Sequence, residues 1–443
     1  MFISKHSDKG CSLALMCAIM VVLMQCCIYS AACSQQVTLD TLTFTSQQAE
    51  QRFLEKNLPL LAERLNIDKA EAKILQAKAW PNPSFEINDI QLYNTPATDA
   101  SPGLMGSNFW QNKTFGAQLE QMVQLAGKRK KNIAFESKNR ELAERSFTDF
   151  LMSLKAEFRQ NLSELAYLQN VSGDMLYQQE IVNNLLKAQT AQYEAGNISQ
   201  SQLFRLQALG IKLQADINEM AEQISLRQQN LKTYMLIDAQ QYIVIKNEFS
   251  SDALRKFKLY TLQQLLLESQ QHNTAIKSAE GETNVSMANL AIEKANAVPD
   301  LNLSLSYDRN GNNQLDFVGA GVAIDLPVFN RNKGNIKAAQ YEVSRNRLLQ
   351  QNKTESVRNA VVKTWTDLNR DIKLYESINQ DYLNKLNGMI AAVSNNFTQR
   401  NISLLEFLDF FESFRDSKEK YYEAVKNISI KKEDLNYLTG QDL

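Results

Sequence analysis

No cysteine follows Cys33. All five (Cys11, Cys17, Cys26, Cys27 and Cys33) fall in the first 33 of 443 residues. The rest of the chain therefore has no disulfide framework, and with His272 as its sole histidine it has no Cys/His metal site. Glycine is sparse at 15 and proline sparser at 7. Proline is absent between Pro102 and Pro299 and again after Pro327, which leaves two long tracts that nothing breaks. Charge of either sign is not in excess: the formal net charge is −1, which removes the electrostatic case for nucleic acid. Enzyme chemistry is missing too. The sequence shows no Cys nucleophile after the first segment, no His pair and no Gly-rich phosphate loop followed by Lys. Its carboxylates sit among Lys and Arg in helical tracts, the pattern of a solvated helix face.

The cysteine-bearing segment has Lys5 and Lys9, an apolar run from Cys11 to Tyr29, then small residues. This reads as a secretory signal peptide over residues 1–34; a retained membrane anchor is the alternative. Cleavage sites lie after Ser34 and after Ala32. The second would leave Cys33 first, as in a lipoprotein, although Ser30-Ala31-Ala32-Cys33 lacks the usual leading Leu.

What the chain does have, it has twice. Ala77-Lys78-Ala79-Trp80-Pro81-Asn82 returns as Ala295-Asn296-Ala297-Val298-Pro299-Asp300, 218 residues later. Gly116-Ala117 returns as Gly319-Ala320, and Lys128–Ile133 returns as Arg331–Ile336, both 203 later. Asn197-Ile198-Ser199 returns as Asn401-Ile402-Ser403. A unit this long is no solenoid repeat of roughly 20–50 residues. It divides the chain into halves at 35–240 and 241–443.

Each half opens with period-2 patterning. In the second, Leu301, Leu303, Leu305 and Tyr307 alternate with Asn302, Ser304 and Ser306. Asp308–Asn313 reads as a turn. Val318, Ala320, Val322, Ile324 and Leu326 then alternate with small or polar residues. Strands are expected at about 301–307 and 318–326. The first copy is less regular, with strands at about 84–93 and 115–125, a slip at Asp89-Ile90, an interruption at Gln121 and a loop over 94–114. Such alternation fits membrane strands, apolar toward lipid and polar toward a lumen; a half-buried soluble hairpin gives the same pattern.

Long helical tracts follow. From Asn132 to Ala195 is some 64 residues, about 95 Å if continuous, a length that suits a coiled coil or a helical tube. Gly196-Asn197 suits a left-handed C-cap. Ser199 with Gln202, and Ser403 with Glu406, form capping boxes. The helical hairpins are placed at about 132–235, with its tip at 196–199, and about 335–437, with its tip at 400–403. Four membrane strands with two open edges cannot sit alone in lipid, so the chain must oligomerise. Two copies give eight strands with a filled interior, and three give twelve, roughly the size at which a lumen opens.

The paired hairpins, the Ala-x-Ala-x-x-Pro before each, the segment Asp325-Leu326-Pro327-Val328-Phe329-Asn330-Arg331-Asn332-Lys333-Gly334 and the tips Tyr193–Ser199 and Phe397–Ser403 resemble the TolC family of outer-membrane efflux proteins. The likeness covers residues about 40–438, and the Leu-Pro-Val-Phe segment looks most like the CzcC/CusC heavy-metal branch. It implies a mainly α protein with a membrane β-barrel contribution: a homotrimer whose 12-stranded barrel continues into a 12-helix periplasmic tunnel. An equatorial region would form from residues about 40–60, 236–260 and the C-terminal segment. The implied partners are a periplasmic adaptor, an inner-membrane pump of the resistance-nodulation-division (RND) type and outer-membrane lipid. No cofactor is implied.

By this resemblance Gly196, Asn197, Ile198, Ser199, Arg400, Asn401, Ile402 and Ser403 form the tip that meets the adaptor; as plain turn and cap residues they would look the same. Glu406 and Asp409 share a helix face and match an acidic ring at the tunnel entrance. Without a ring, Glu406 would only close its capping box. The family's best-studied members have an acidic residue at the position of Gln202 and a basic one at Ile402, so their salt-bridge lock is not expected here, and Arg205 is a candidate to pair with Asp409 or Glu406 instead. Lys128–Lys131 would lie at the periplasmic rim of the barrel, where long cationic side chains snorkel to headgroups. His272 reads as an ordinary helix residue, and Met105 and Met122 make no copper site. The alternatives are a drug or type I secretion channel and, in another class, a periplasmic coiled-coil adaptor or scaffold.

Overall fold

The computed structural model describes residues 40–90, 114–246, 260–310, 315–378 and 380–443. The segment expected to be a signal peptide, with Cys33, most of the 94–114 loop, the centre of the 308–313 turn and residues 247–259 lie outside the described residues.

Each half begins the same way. Strand β1 (Thr41–Thr45) leads into helices α1 (Ser46–Lys56) and α2 (Leu58–Lys78). In the second half β4 (Tyr242–Lys246) precedes α5 (Leu262–His272) and α6 (Thr274–Asn296). Thr45 with Gln48, and Thr261 with Gln264, close capping boxes at the starts of α1 and α5. Asn57 and Asn273 then each end one helix and cap the next, their Oδ1 atoms accepting from Leu60 and Ile276 N–H at 2.9 Å. β1 and β4 pair in parallel, Thr41 opposite Tyr242 and Thr45 opposite Lys246, and so tie the two halves together.

The second sheet holds all four strands of the two hairpins: β2 (Ser84–Asn88), β3 (Gly116–Val123), β5 (Leu301–Asn310) and β6 (Leu315–Ile324), in the order β2-β3-β5-β6. Every pairing is antiparallel, and β3–β5 joins the halves, Gly116 opposite Asp308 and Val123 opposite Leu301. β2 and β6 are its free edges. The boundaries differ from the alternation in the sequence. β2 stops at Asn88 because Asp89 turns left-handed (φ 54°). β5 runs three residues past Tyr307, into the expected turn, because Arg309 N–H donates to Phe115 C=O at 2.9 Å and Tyr307 Oη donates to Asp316 at 2.7 Å. β6 starts and ends earlier than expected and leaves Leu326 beyond it. Gln121, on the apolar face opposite Leu303, is satisfied locally: its amide donates to the carbonyls of Pro81 and Met122. Phe85, Ile87, Leu119, Leu305, Val322 and Ile324 lie exposed on that face, which an isolated chain leaves in water.

Helix α3 (Lys128–Glu194) is a single helix of 67 residues, about 100 Å long. It opens at Lys128 rather than Asn132. A basic run at a helix N-terminus opposes the helix dipole, and here acceptors take up two of the cations. Lys128 Nζ meets Asp300 at 2.8 Å, and Arg129 donates to the Lys78 carbonyl while lying 4.7 Å from the centre of the Trp80 ring. Lys128 thus ties α3 to the residue before β5, and Arg129 ties it to the end of α2.

Helix α4 (Gln200–Met235) returns antiparallel to α3. In the second half, α7 (Lys333–Ser377) ends at Ile378, whose extended backbone (φ −88°, ψ 102°) separates it from α8 (Gln380–Thr398). Neither Pro nor Gly marks that break. Helix α9 (Leu404–Thr439) completes the chain.

The buried stripes have coiled-coil spacing: Val171, Met175, Gln178, Val182 and Leu185 on α3, and Leu404, Phe407, Phe411, Phe414 and Lys418 on α9. Lys418, the charged member, pairs with Asp174 of α3 at 3.1 Å. One core sits between α3, α4, α8 and α9 near the tips; two more flank the β1–β4 sheet and the α5–α7–α9 contact. Near the β1–β4 sheet Arg159 gathers Glu50, Glu433 and Asp442 at 2.6–2.9 Å, and Lys155 joins Glu50 and Asp442.

Candidate functional site

Both helical hairpins turn by the same hydrogen bonds. Asn197 N–H donates to Gln192 C=O and Asn401 N–H to Asn396 C=O, both at 2.8 Å, which satisfies carbonyls left over at the ends of α3 and α8. The residue in the left-handed conformation is Gly196 (φ 74°) in the first tip and Arg400 (φ 62°) in the second. An L-residue there costs roughly 1–2 kcal/mol. Ser199 and Ser403 then cap α4 and α9, with Gln202 and Glu406 closing the boxes.

The fold brings the two tips together. Gln192 Oε1 accepts from Asn197 Nδ2 of its own tip, at 2.9 Å, and from Arg400 Nη2 of the other. Between them lies a cleft of about 220 Å³ lined by Asn197, Ile198, Gln202, Phe397, Arg400 and Ile402. Beneath it the rings of Phe397 and Phe407 stack at 5.2 Å, and Phe411 follows Phe407 at 5.7 Å. Gly196, Asn197, Ser199, Arg400, Asn401 and Ser403 are exposed; Ile198 and Ile402 are half-buried.

Glu406 and Asp409 both lie exposed on α9, on the side away from Leu404, Phe407 and Phe411. Ser403 backbone N–H, and then its hydroxyl, stabilise the Glu406 carboxylate and hold its pKa below the ordinary value. Exposed Glu412 and Asp416 continue the acidic row, which the sequence reading did not include. Arg205 makes no ion pair with Glu406 or Asp409 within the chain. It lines a groove of about 330 Å³ with Leu209, Lys212, Leu408, Phe411 and Arg415, and the ion pair that links α4 to α9 is Arg415–Asp216 at 2.7 Å. His272 is the last residue of α5, its Nε2 3.6 Å from Glu268. Among the described residues no group of His, Cys, Asp or Glu is arranged to hold a metal ion, and no helix is long and apolar enough to cross a membrane.

Comparison with known proteins finds a likeness to one family. The description "Outer membrane efflux protein" matches residues 265–441, the second half with its tip and acidic row. The likeness to that family is carried by the second half of the chain. A curated relative, the cobalt-zinc-cadmium resistance protein CzcC of Cupriavidus metallidurans, is 23% identical over 283 residues. That alignment takes in 64% of this chain and 63% of CzcC, so the chain spans less than two thirds of its curated relative.

Solved structures extend the likeness in fold over both halves. The CmeC outer membrane channel of Campylobacter jejuni superposes with a TM-score of 0.69 at 14% identity, over 90% of this chain and 86% of CmeC. CusC superposes with a TM-score of 0.62 at 17% identity, over 89% of this chain and 92% of CusC. The chain thus shares the mostly helical fold of these outer-membrane channels over both halves.

Proposed function

We propose that this chain is the outer-membrane exit duct of a tripartite efflux system and that it carries heavy-metal cations. The observation that carries the reading is the β2-β3-β5-β6 sheet. It exposes an apolar face, ends in two unpaired edges and runs directly into α3, about 100 Å long, and α7, about 68 Å long. Lipid would cover the face, and further copies would satisfy the edges. Three copies make a 12-stranded barrel above a 12-helix periplasmic tunnel. The duct is passive; an inner-membrane RND pump supplies the energy, and a periplasmic adaptor meets the tips at Gly196–Ser199 and Arg400–Ser403. Glu406 and Asp409 then ring the entrance, where six carboxylates favour cations, in keeping with the cargo in the name of CzcC. Cys33 is a lipidation site if cleavage follows Ala32.

A strain deleted for the gene tests this, challenged with cobalt, zinc and cadmium beside dyes, detergents and antibiotics. Hypersensitivity to the metals is the expected result. Sensitivity to organic compounds alone would keep the duct and remove the metal cargo.

A further inference from the structure

We propose that the joint between neighbouring copies of this chain repeats, residue for residue, the joint between its own two halves. The proposal rests on the channel reading above and adds the register of the seam.

Two offsets relate the hairpins: 218 residues for the first strand of each and 203 for the second. They also hold in three dimensions. β2 and β3 pair as Phe85 opposite Leu119; adding the offsets gives Leu303 opposite Val322, which is the register of β5 and β6. The in-chain joint pairs the second strand of one half with the first strand of the other, and includes Gln121 opposite Leu303 and Leu119 opposite Leu305. Carried forward by the same offsets, these become Ile324 opposite Phe85 and Val322 opposite Ile87. β6 and β2 are the two edges of the sheet, so this pairing forms between copies.

The register agrees with the chemistry of both faces. Val322 (71% exposed), Ile324 (46%), Phe85 (65%) and Ile87 (50%) come together on the apolar side. Ala323 falls opposite Glu86, and Gly321 opposite Asn88, on the polar side. A shift of one residue would put every apolar side chain on the wrong face. The helices continue the seam. Within the chain α3 packs against α6; their counterparts α7 and α2 carry exposed apolar rows, Tyr341, Leu348 and Leu349 on one and Leu58, Leu61 and Leu65 on the other.

At one point the two joints differ. Inside the chain Asp300 accepts from Leu125 N–H at 3.1 Å and from Lys128 Nζ at 2.8 Å. At the seam the same positions hold Asn82, Val328 and Arg331. Asn82 offers an acceptor but no charge, so the seam lacks the ion pair that fastens the in-chain joint.

Disulfide trapping in outer-membrane vesicles tests the register. Paired residues of an antiparallel ladder have Cα atoms about 4.5–5.5 Å apart, within reach of a disulfide, and a two-residue slip takes them to roughly 8 Å. The Phe85→Cys/Ile324→Cys double variant should form covalent multimers on oxidation, whereas Phe85→Cys/Val322→Cys and either single variant should not. Stronger trapping in the slipped pair overturns the register. So does failure of both pairs when light scattering finds the detergent-purified protein oligomeric, and in that case the channel reading stands. A monomeric protein would sink both. Asn82→Asp gives an independent check. It should raise the temperature at which the oligomer dissociates, and Arg331→Gln should cancel the gain; no gain, or one that survives Arg331→Gln, overturns the proposal.

Discussion

Arg400→Gly separates backbone strain from side-chain function at the tip. Arg400 holds the left-handed position that Gly196 fills in the first copy. Glycine relieves roughly 1–2 kcal/mol of strain but loses about 0.5–1 kcal/mol more backbone entropy on folding. The lost hydrogen bond to Gln192 is exposed and contributes about 0.5–1.5 kcal/mol. These effects nearly cancel, so the Arg400→Gly oligomer should melt within a few degrees of the wild type. Arg400→Ala keeps the strain and loses the bond, and should fall below Arg400→Gly by about 1 kcal/mol.

Function should part from stability here, because both variants release one tip from the other. Single-channel conductance in planar bilayers should rise in each, with Arg400→Lys between them and the wild type. Equal stability of the Gly and Ala variants would refute the left-handed turn. Wild-type conductance in both would refute the idea that Arg400 and Gln192 hold the tips together.

Glu406→Gln with Asp409→Asn should weaken cation preference, seen as a reversal potential in a salt gradient that moves toward zero; an unchanged value would remove the acidic ring. Arg159→Met leaves Glu433 buried without its cation. For a group one-fifth exposed, the loss lies between surface and buried pairs, about 2–3 kcal/mol, and should appear as faster amide exchange in α1. The same network sets a pH dependence. Lys155 and Arg159 overcome the upward pull of burial, hold Asp442 near 2 and depress Glu50, so this stabilisation is present above the ordinary carboxylate range and is lost as pH falls toward 2. α1 protection factors, corrected for the intrinsic exchange rate at each pH, should therefore fall between pH 5 and pH 2 in the wild type and respond less in Arg159→Met. Phe407→Ala empties a fully buried site between Phe397 and Phe411 and should cost about 3–5 kcal/mol in thermal unfolding.

The duplication, the period-2 strands and the capping boxes at both tips are legible in the sequence because each is local or recurs at a fixed offset. Arg400 is not. Its neighbours spell a tip, but a left-handed arginine contradicts the usual preference, and comparison with Gly196 is the one signal that could have found it. Arg415–Asp216 and Lys418–Asp174 join residues about two hundred or more positions apart, where no spacing rule reaches. The break at Ile378 carries no Pro or Gly to announce it. Asp300 was visible only as the acidic end of a repeated hexamer; its role appears once Lys128 and Leu125 are beside it.

The duplicated halves have become mechanically unequal. Helix α3 runs unbroken for 67 residues, a strut that carries a push at the tip straight to the sheet. Its counterpart is jointed at Ile378, and that jointed arm also ends in the strained turn at Arg400. If copies close into the ring proposed above, struts and jointed arms would alternate around it, and Ile378 is where the mouth would bend.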